Sequence, residues 1–257
     1  PPRSTLFPYT TLFRSMNARP RKIEIHHAKC FVTKWYFIRL VIMFGFIDNL
    51  KKLVFFKLTA IYLRYLIGFA FVFASIVKIK GERFTTLPTD TPVGYFFEAM
   101  YQSGFYWQFL GWSQFIAGAL LMTQRFATLG AMMFFPIILN VTLITHSVNF
   151  GTGTPTITTL MLLGTTFLLV WDYRKWTILF LPDHRIKLDL TQTPEDRFMT
   201  HPAWIITGFI FLVLTVLPNV IVVQKNSLLP LFWISALLLT GLAAFAYMMV
   251  KRKKLKG

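Results

Sequence analysis

The stretch LTAIYLRYLIGFAFVFASIV, residues Leu58–Val77, decides how the rest of the chain is interpreted. It holds one charged residue, Arg64, within 20 positions. About 20 apolar residues in a helix are enough to cross the hydrocarbon core of a bilayer. A helix also satisfies its own backbone hydrogen bonds there, where no water can do so. The stretch therefore predicts a membrane-spanning helix.

Five further apolar segments follow along the chain, and each is bounded by polar sequence. The composition agrees with a membrane protein, since 55% of the residues are hydrophobic and only 14% are charged, against about 25% charged in an average soluble domain. We predict an all-α polytopic membrane protein with six transmembrane helices, a four-helix unit followed by a two-helix hairpin. The later segments are approximately Trp107–Met122, Phe126–Thr145, Ile157–Trp171, Trp204–Val223 and Leu228–Val250.

The formal charge of +17 is interpreted within the same frame. In a soluble protein it would indicate nucleic-acid binding, but here the basic residues lie between apolar segments, as in the positive-inside rule. We therefore expect a multi-pass protein of the bacterial inner membrane with both termini cytoplasmic, the lipid bilayer as its partner and no nucleic acid. The segments assigned to the inside carry Lys51, Lys52, Lys57, Arg125, Arg174, Lys175, Arg185, Lys187, Arg197 and the tail KRKKLKG.

The beginning of the chain differs from the rest. Residues Pro1–Ser15, PPRSTLFPYTTLFRS, resemble a translated sequencing-adapter string, including its internal echo of TLF. We expect no stable packing for them and an artefactual or disordered extension over residues 1–42. The natural start would then be Met16 or Met43.

The remaining domain boundaries follow from composition. Residues 43–176 are predicted to form the four-helix membrane domain, and residues 177–202, which are mixed in charge and contain prolines, a cytoplasmic linker. Residues 203–257 are predicted to form the transmembrane hairpin with its basic tail. In the loop after the first span, a short interfacial helix is expected near Val93–Tyr101, because its sequence is aromatic and nearly uncharged and tyrosine favours the membrane surface.

Several kinds of chemistry are disfavoured by the sequence. Cys30 is the only cysteine, so an intrachain dithiol is excluded. His146 and His201 are predicted at opposite membrane faces, which argues against a haem held by both, because the two ligands must meet at one iron. No H-E-x-x-H motif, P-loop or nucleophile elbow is present, and no metal site is predicted.

Polar residues inside apolar spans are candidates for function, because they are costly in lipid. Arg64 either extends to the inner head groups or serves as a fixed cation in the bundle. Lys78, at the far end of the same span, is expected to extend to the membrane surface. Gln114 either joins helices by hydrogen bonds or belongs to a polar site.

Three further residues complete the candidate polar site. Asn140 follows Pro136 by one helical turn, so it either satisfies the carbonyl that the proline frees or lines a cavity with Gln114. His146 ends the third span, and Glu98 lies in the aromatic loop on the same side. These two either form a proton relay or are separately solvated.

Two stretches resemble the DoxX-like family of membrane proteins. YLRYLIGFAFVFASIVKI, residues Tyr62–Ile79, is similar to the family's first helix, and WSQFIAGALLMTQRFATLGA, residues Trp112–Ala131, to its junction of second and third helices. His146 falls where the third helix of the family often ends in histidine. The resemblance covers Leu58–Trp176. Gln114 departs from it, since many members carry glutamate there, and the last two helices lie outside the family's four-helix unit.

The resemblance implies a four-helix bundle and, for some relatives, a link to thiosulfate–quinone oxidoreduction or to membrane oxidoreductase complexes. Two hypotheses follow. The first is a membrane subunit of a quinone-linked oxidoreductase system, with quinone as cofactor, a redox partner protein and a polar site; no catalytic residue is assigned. The second is a non-catalytic membrane scaffold or small-solute carrier. The candidate site comprises Arg64, Gln114, Asn140, His146 and Glu98.

Overall fold

A computed structural model describes residues 45–151, 153–176, 198–220 and 229–254. The chain divides into two compact units, Pro1–Lys52 and Leu53–Gly257. In the first unit, residues 45–52 are helical. The predictions for residues 1–42 fall outside the described residues. Residues 177–197 of the predicted linker also fall outside them.

Every regular element among the described residues is a helix, so the predicted all-α class is confirmed for that part of the chain. A helix is also present where a short interfacial helix is expected near Val93–Tyr101; it covers Pro92–Gln102 and is called α2. Its first turn is capped, because the Thr91 hydroxyl accepts a hydrogen bond of 3.1 Å from the Gly94 N–H. In the second unit the helices are α1 Val54–Ile79, α2 Pro92–Gln102, α3 Phe105–Met122, α4 Ala127–Ser147, α5 Gly153–Trp171, α6 Tyr173–Trp176, α7 Pro202–Val220 and α8 Leu229–Lys254.

Five helices among the described residues are long and apolar enough to cross a membrane, as expected of a multi-pass membrane protein. They are α1, α4, α5, α7 and α8. The sixth predicted span, α3, forms a helix of 18 residues but does not belong to this group. Its apolar character is reduced by Gln108 and Gln114 together with a serine, a tyrosine and two tryptophans. The structure thus supports five candidate spans where the sequence predicts six.

Four of the helices form a closed ring. Helix α1 packs against α3 and α5, α3 packs against α4, and α4 packs against α5. The contact of α1 with α3 is especially close, because a Cβ added to Gly68 would lie 2.8 Å from the carbonyl oxygen of Gly118. Small residues of this kind let two apolar helices approach through their backbones.

The last two long helices pack on the outside of this ring. Helix α7 packs against α1 and α3, and α8 packs against α7. The Tyr65 hydroxyl donates a hydrogen bond to the Trp204 carbonyl on α7, and the Tyr62 hydroxyl donates one of 3.1 Å to the Gly241 carbonyl on α8. Two tyrosines of α1 therefore hold both added helices.

The ring has two ends with different contents. At one end, α2 and the segment before it lie close to the ends of α1, α3 and α4; we call this the α2 end. At the other end, Asp172 follows α5 and Gln124 follows α3; we call this the Asp172 end. The two ends carry separate polar clusters.

Candidate functional site

A cavity of about 830 Å³ lies among the four ring helices toward the α2 end. Pockets of roughly 300–1,000 Å³ are typical of small-molecule sites. Most of the cavity wall is apolar, and aromatic side chains and methionines form much of it. These residues come from every helix of the ring, from α2 and from the segments that follow α1 and α4: Phe71, Phe84, Phe96, Phe97, Met100, Tyr106, Phe109, Met133, Phe150 and Met161.

A few polar side chains interrupt this apolar wall. Two of them, Thr145 and Thr158, already bond each other at 3.0 Å and also bond backbone carbonyls of their own helices. Their hydroxyls are therefore already hydrogen-bonded and have little capacity left to bind a ligand. Lys78, Gln114 and Asn140 are the polar residues that matter for a ligand.

Gln114 is placed in the cavity wall by the middle of α3. Gln114 is only 3% exposed, and its buried Oε1 atom has no hydrogen-bond partner among the described residues. A buried polar atom without a partner costs about 1–3 kcal/mol. Asn140 lines the same cavity from α4, one turn after Pro136. The structure thus brings together these two residues of the predicted set.

Lys78 lies in the cavity wall at the end of α1. It is only 6% exposed, so the expectation that it extends to the membrane surface is wrong. Its ammonium donates a hydrogen bond of 3.0 Å to the Ala74 carbonyl and lies 4.5 Å from the ring centre of Phe84 and 5.4 Å from that of Trp107. Among the described residues, no carboxylate forms an ion pair with it.

The aromatic surroundings of Lys78 are themselves fixed. Trp107 is 1% exposed, and its indole N–H donates a hydrogen bond of 3.0 Å to the Glu82 carbonyl. This bond ties α3 to the turn that follows α1. The face of the indole ring is thereby held toward the ammonium, an arrangement in which the ring's negative face attracts a cation.

Glu98 does not line the cavity. Its carboxylate accepts two hydrogen bonds from the Arg83 guanidinium, at 2.8 and 3.0 Å, and a third from Gln102 at 3.2 Å. The bonds from Arg83, followed by the one from Gln102, lower the pKa of this carboxyl below its ordinary value. Glu98 therefore joins α2 to the preceding segment and is positioned to hold α2 over the cavity.

His146 lies at the end of α4 and is exposed. One ring nitrogen forms a hydrogen bond of 2.9 Å with the Thr159 hydroxyl of α5. Within the part of the chain that the structure describes, no hydrogen bond joins His146 to Glu98. The direct relay considered from the sequence is therefore absent from this arrangement.

Arg64 belongs to a different cluster at the Asp172 end. Its guanidinium donates hydrogen bonds of 2.7 Å to Asp172 and 3.0 Å to Gln124, and the residue is 2% exposed. Gln114 lies eight residues before the end of α3, or about 12 Å along the helix, and Gln124 lies beyond that end. Arg64 is thus separated from the cavity that contains Gln114 and Asn140.

Asp172 is the centre of this second cluster. It also accepts a hydrogen bond of 3.0 Å from the Thr128 hydroxyl and lies 3.2 Å from the Lys175 ammonium. Burial alone raises the pKa of the Asp172 carboxyl, but the charges of Arg64 and Lys175 outweigh it and lower the pKa below its ordinary value. The carboxylate stays ionised and links α1, α4 and α5.

Sequence reasoning missed three of these residues. Asp172 is not among the predicted site residues, although it follows an apolar span directly and lies at the same predicted membrane face as Arg64, which is a signal for pairing. Gln124 adopts a left-handed backbone conformation, with φ of 58°, in the turn between α3 and α4. Lys78 gave no signal, because the rings that cover it are 6 and 29 residues away in sequence.

Comparison of the chain with protein-family models, curated proteins and solved structures found no match.

Proposed function

We propose that this protein is a membrane component of a quinone-linked oxidoreductase system and that the cavity at the α2 end is its quinone site. The observation that carries the proposal is the cavity of about 830 Å³ whose aromatic wall is interrupted by Lys78, Gln114 and Asn140. A redox partner protein would exchange electrons with the bound quinone, and this chain would hold the quinone in the bilayer.

The chemistry of a quinone head group matches this wall. Its flat ring packs well against aromatic side chains. Its two oxygens accept hydrogen bonds in the oxidised form and can donate them in the reduced form. Lys78 offers ammonium donors, and Gln114 and Asn140 offer both amide donors and amide acceptors. A ligand that donates to the Gln114 Oε1 atom would remove the cost of leaving that atom unpaired.

The proposal includes the finer architecture. We place α3 across the membrane as a sixth span, enclosed by α1, α4 and α7, with the four ring helices forming the DoxX-like unit and α7 and α8 the hairpin. Both termini would lie in the cytoplasm of a bacterium with the protein in its inner membrane. The close packing of α3 supports this placement, because Gln114, in the middle of the helix, is then shielded from lipid.

Quinone content of the purified protein tests the proposal. The full chain is purified from native membranes into nanodiscs, and bound quinone is extracted and measured against empty nanodiscs. We expect quinone in excess over empty nanodiscs for the native chain, and a loss of about tenfold in quinone affinity for Gln114→Leu, because an amide partner within the cavity is removed.

Gln108→Leu is the matched control, since Gln108 is exposed on the same helix and does not line the cavity. It should retain quinone at the native level. Recovery of the native chain with no quinone above the empty-nanodisc level, and no binding of added quinone, would contradict the proposal and favour the alternative of a non-catalytic scaffold or small-solute carrier.

A further inference from the structure

We propose that the cavity selects ligands whose aromatic or quinone-like head group carries an anionic oxygen, and that Lys78 is the residue that recognises this charge. The inference rests on the proposed function and specifies the ligand class of the same site. It starts from the unusual position of the Lys78 ammonium, which is buried in an apolar wall instead of lying in water.

The ammonium has unused capacity. A lysine has three N–H donors, and the structure gives its Nζ atom a single hydrogen bond, to the Ala74 carbonyl. The faces of Phe84 and Trp107 attract the charge, but such contacts contribute only about 0.5–2 kcal/mol. Burying an unpaired cation in a membrane protein costs more than that. An anion in the cavity would supply the missing partner.

Gln114 lies close enough to take part in the same recognition. A Cβ added to Gly111 would lie 2.8 Å from the Lys78 Cβ, so the stem of the lysine lies against that turn of α3. Gln114 follows Gly111 by three residues and therefore lies on the same face of the helix. A head group a few ångströms across can contact both side chains, with its anionic oxygen at Lys78 and a hydroxyl donating to Gln114 Oε1.

Other positions for the ligand charge are less suitable. Arg64 is already paired with Asp172 at the far end of the ring. Arg83 is paired with Glu98 and lies outside the cavity wall. Among the described residues that line the cavity, Lys78 is the one cation. An anionic oxygen of the ligand head group would therefore bind at the Lys78 ammonium.

A pair of related probes isolates the effect of charge. A hydroxynaphthoquinone is ionised at neutral pH, whereas its methyl ether has nearly the same shape and is neutral. Binding of each to the full chain in nanodiscs is measured by equilibrium dialysis, with empty nanodiscs used to subtract partition into lipid. We expect the native chain to bind the anion about tenfold more tightly than the ether, because a charge-assisted hydrogen bond is formed.

Variants then assign the preference to one residue. Lys78→Met keeps the length of the side chain without its charge and should weaken binding of the anion about tenfold while changing binding of the ether less than about threefold. Lys78→Arg should retain a preference for the anion. Lys80→Met is the matched control, since Lys80 is exposed two residues further along and does not line the cavity; it should leave both affinities unchanged.

The outcomes separate this inference from the proposed function. Equal binding of the two probes by the native chain would overturn the inference, whether or not the variants fold. The same conclusion follows if Lys78→Met weakens both probes alike. In either case the proposed quinone site would survive as long as Gln114→Leu weakens the ether. Absence of binding by both probes would overturn the inference and the proposed function together.

Discussion

At the scale of single residues, Arg64 and Lys78, two of the buried cations of α1, are compensated in different ways. Arg64 is paired with a carboxylate and an amide, so its charge is compensated by the protein. Lys78 has a carbonyl and two aromatic faces, which compensate it only in part. An ion-paired guanidinium holds helices together, whereas an ammonium with no carboxylate partner among the described residues can take an anionic one. This difference assigns structure to Arg64 and binding to Lys78.

The structural role of Arg64 can be measured by breaking its ion pair. Arg64→Met leaves the buried Asp172 carboxylate without its closest cation, and removing one partner of a buried pair costs about 3–5 kcal/mol. We expect the thermal unfolding midpoint of this variant in detergent, measured by circular dichroism, to be clearly lower than that of the native chain. The double variant Arg64→Met/Asp172→Leu should recover part of the loss, because no uncompensated charge remains.

The exposed pair of Arg83 and Glu98 provides the control. Its arginine side chain is 58% exposed, and ion pairs in water contribute little to stability. Arg83→Met should therefore shift the midpoint much less than Arg64→Met. Shifts of equal size would show that the Arg64 cluster is not the structural connection that its burial indicates.

At the scale of elements, α3 is the one ring helix that lies outside the five candidate spans of the described residues. It is less apolar than the five candidate spans, yet it packs against α1, α4, α7 and α2. Enclosure by other helices removes the need for a continuous apolar surface. The contact with α7 depends on Gly208, where an added Cβ would lie 1.9 Å from the Met122 carbonyl oxygen.

Gly208→Ala tests how α7 is attached to the ring. The added methyl group meets backbone atoms, which cannot turn aside as a flexible side chain can, so α7 must shift outward. Overpacking of this kind typically costs about 1–3 kcal/mol. We expect faster proteolysis of the segment around α7 and α8 and a lower thermal midpoint than for the native chain.

Gly241→Ala is the matched substitution on α8. There the added Cβ would meet its nearest neighbour, in the ring of Phe211, at 3.5 Å, which is an ordinary contact. This variant should behave as the native chain does. If the two substitutions lowered the midpoint equally, the loss in Gly208→Ala could not be assigned to the contact with Met122, since alanine is by itself the better helix former.

At the scale of the whole molecule, the ring of α1, α3, α4 and α5 places the cavity toward one end and the Arg64 cluster at the other. Whether α3 crosses the bilayer determines whether the segments before and after it, which carry Asp90 and Arg125, lie on opposite sides of the membrane. The position of single cysteines in the connecting segments can answer this directly. Asp90, Asn149 and Arg125 are exposed and serve as labelling sites.

Single-cysteine labelling tests the topology in a Cys30→Ser background. With a membrane-impermeant maleimide applied to intact cells or spheroplasts, we expect Asp90→Cys and Asn149→Cys to react and Arg125→Cys to react only after permeabilisation. The reason is that α3 and α4 each separate Arg125 from the other two sites. Equal labelling of all three sites in intact cells would contradict a crossing by α3.

Much of the fold was predictable from local sequence, because a long apolar segment in lipid has few alternatives to a helix. The five candidate spans and the short helix α2 follow from such segments. The grouping of the site residues was not predictable in the same way. Gln114 and Asn140 line one cavity, but Arg64, His146 and Glu98 lie elsewhere, since helical rotation and end-to-end placement decide which side chains meet.

The helices of the described residues and their apolar character followed from the sequence alone, because those properties depend on composition within one segment. Three features required the tertiary structure: Asp172 compensates Arg64, Trp107 and Phe84 lie against the Lys78 ammonium, and the cavity is lined jointly by the ring helices and α2. Each of these facts depends on contacts between residues distant in the chain, and local patterns carry no information about which distant partner a side chain will meet.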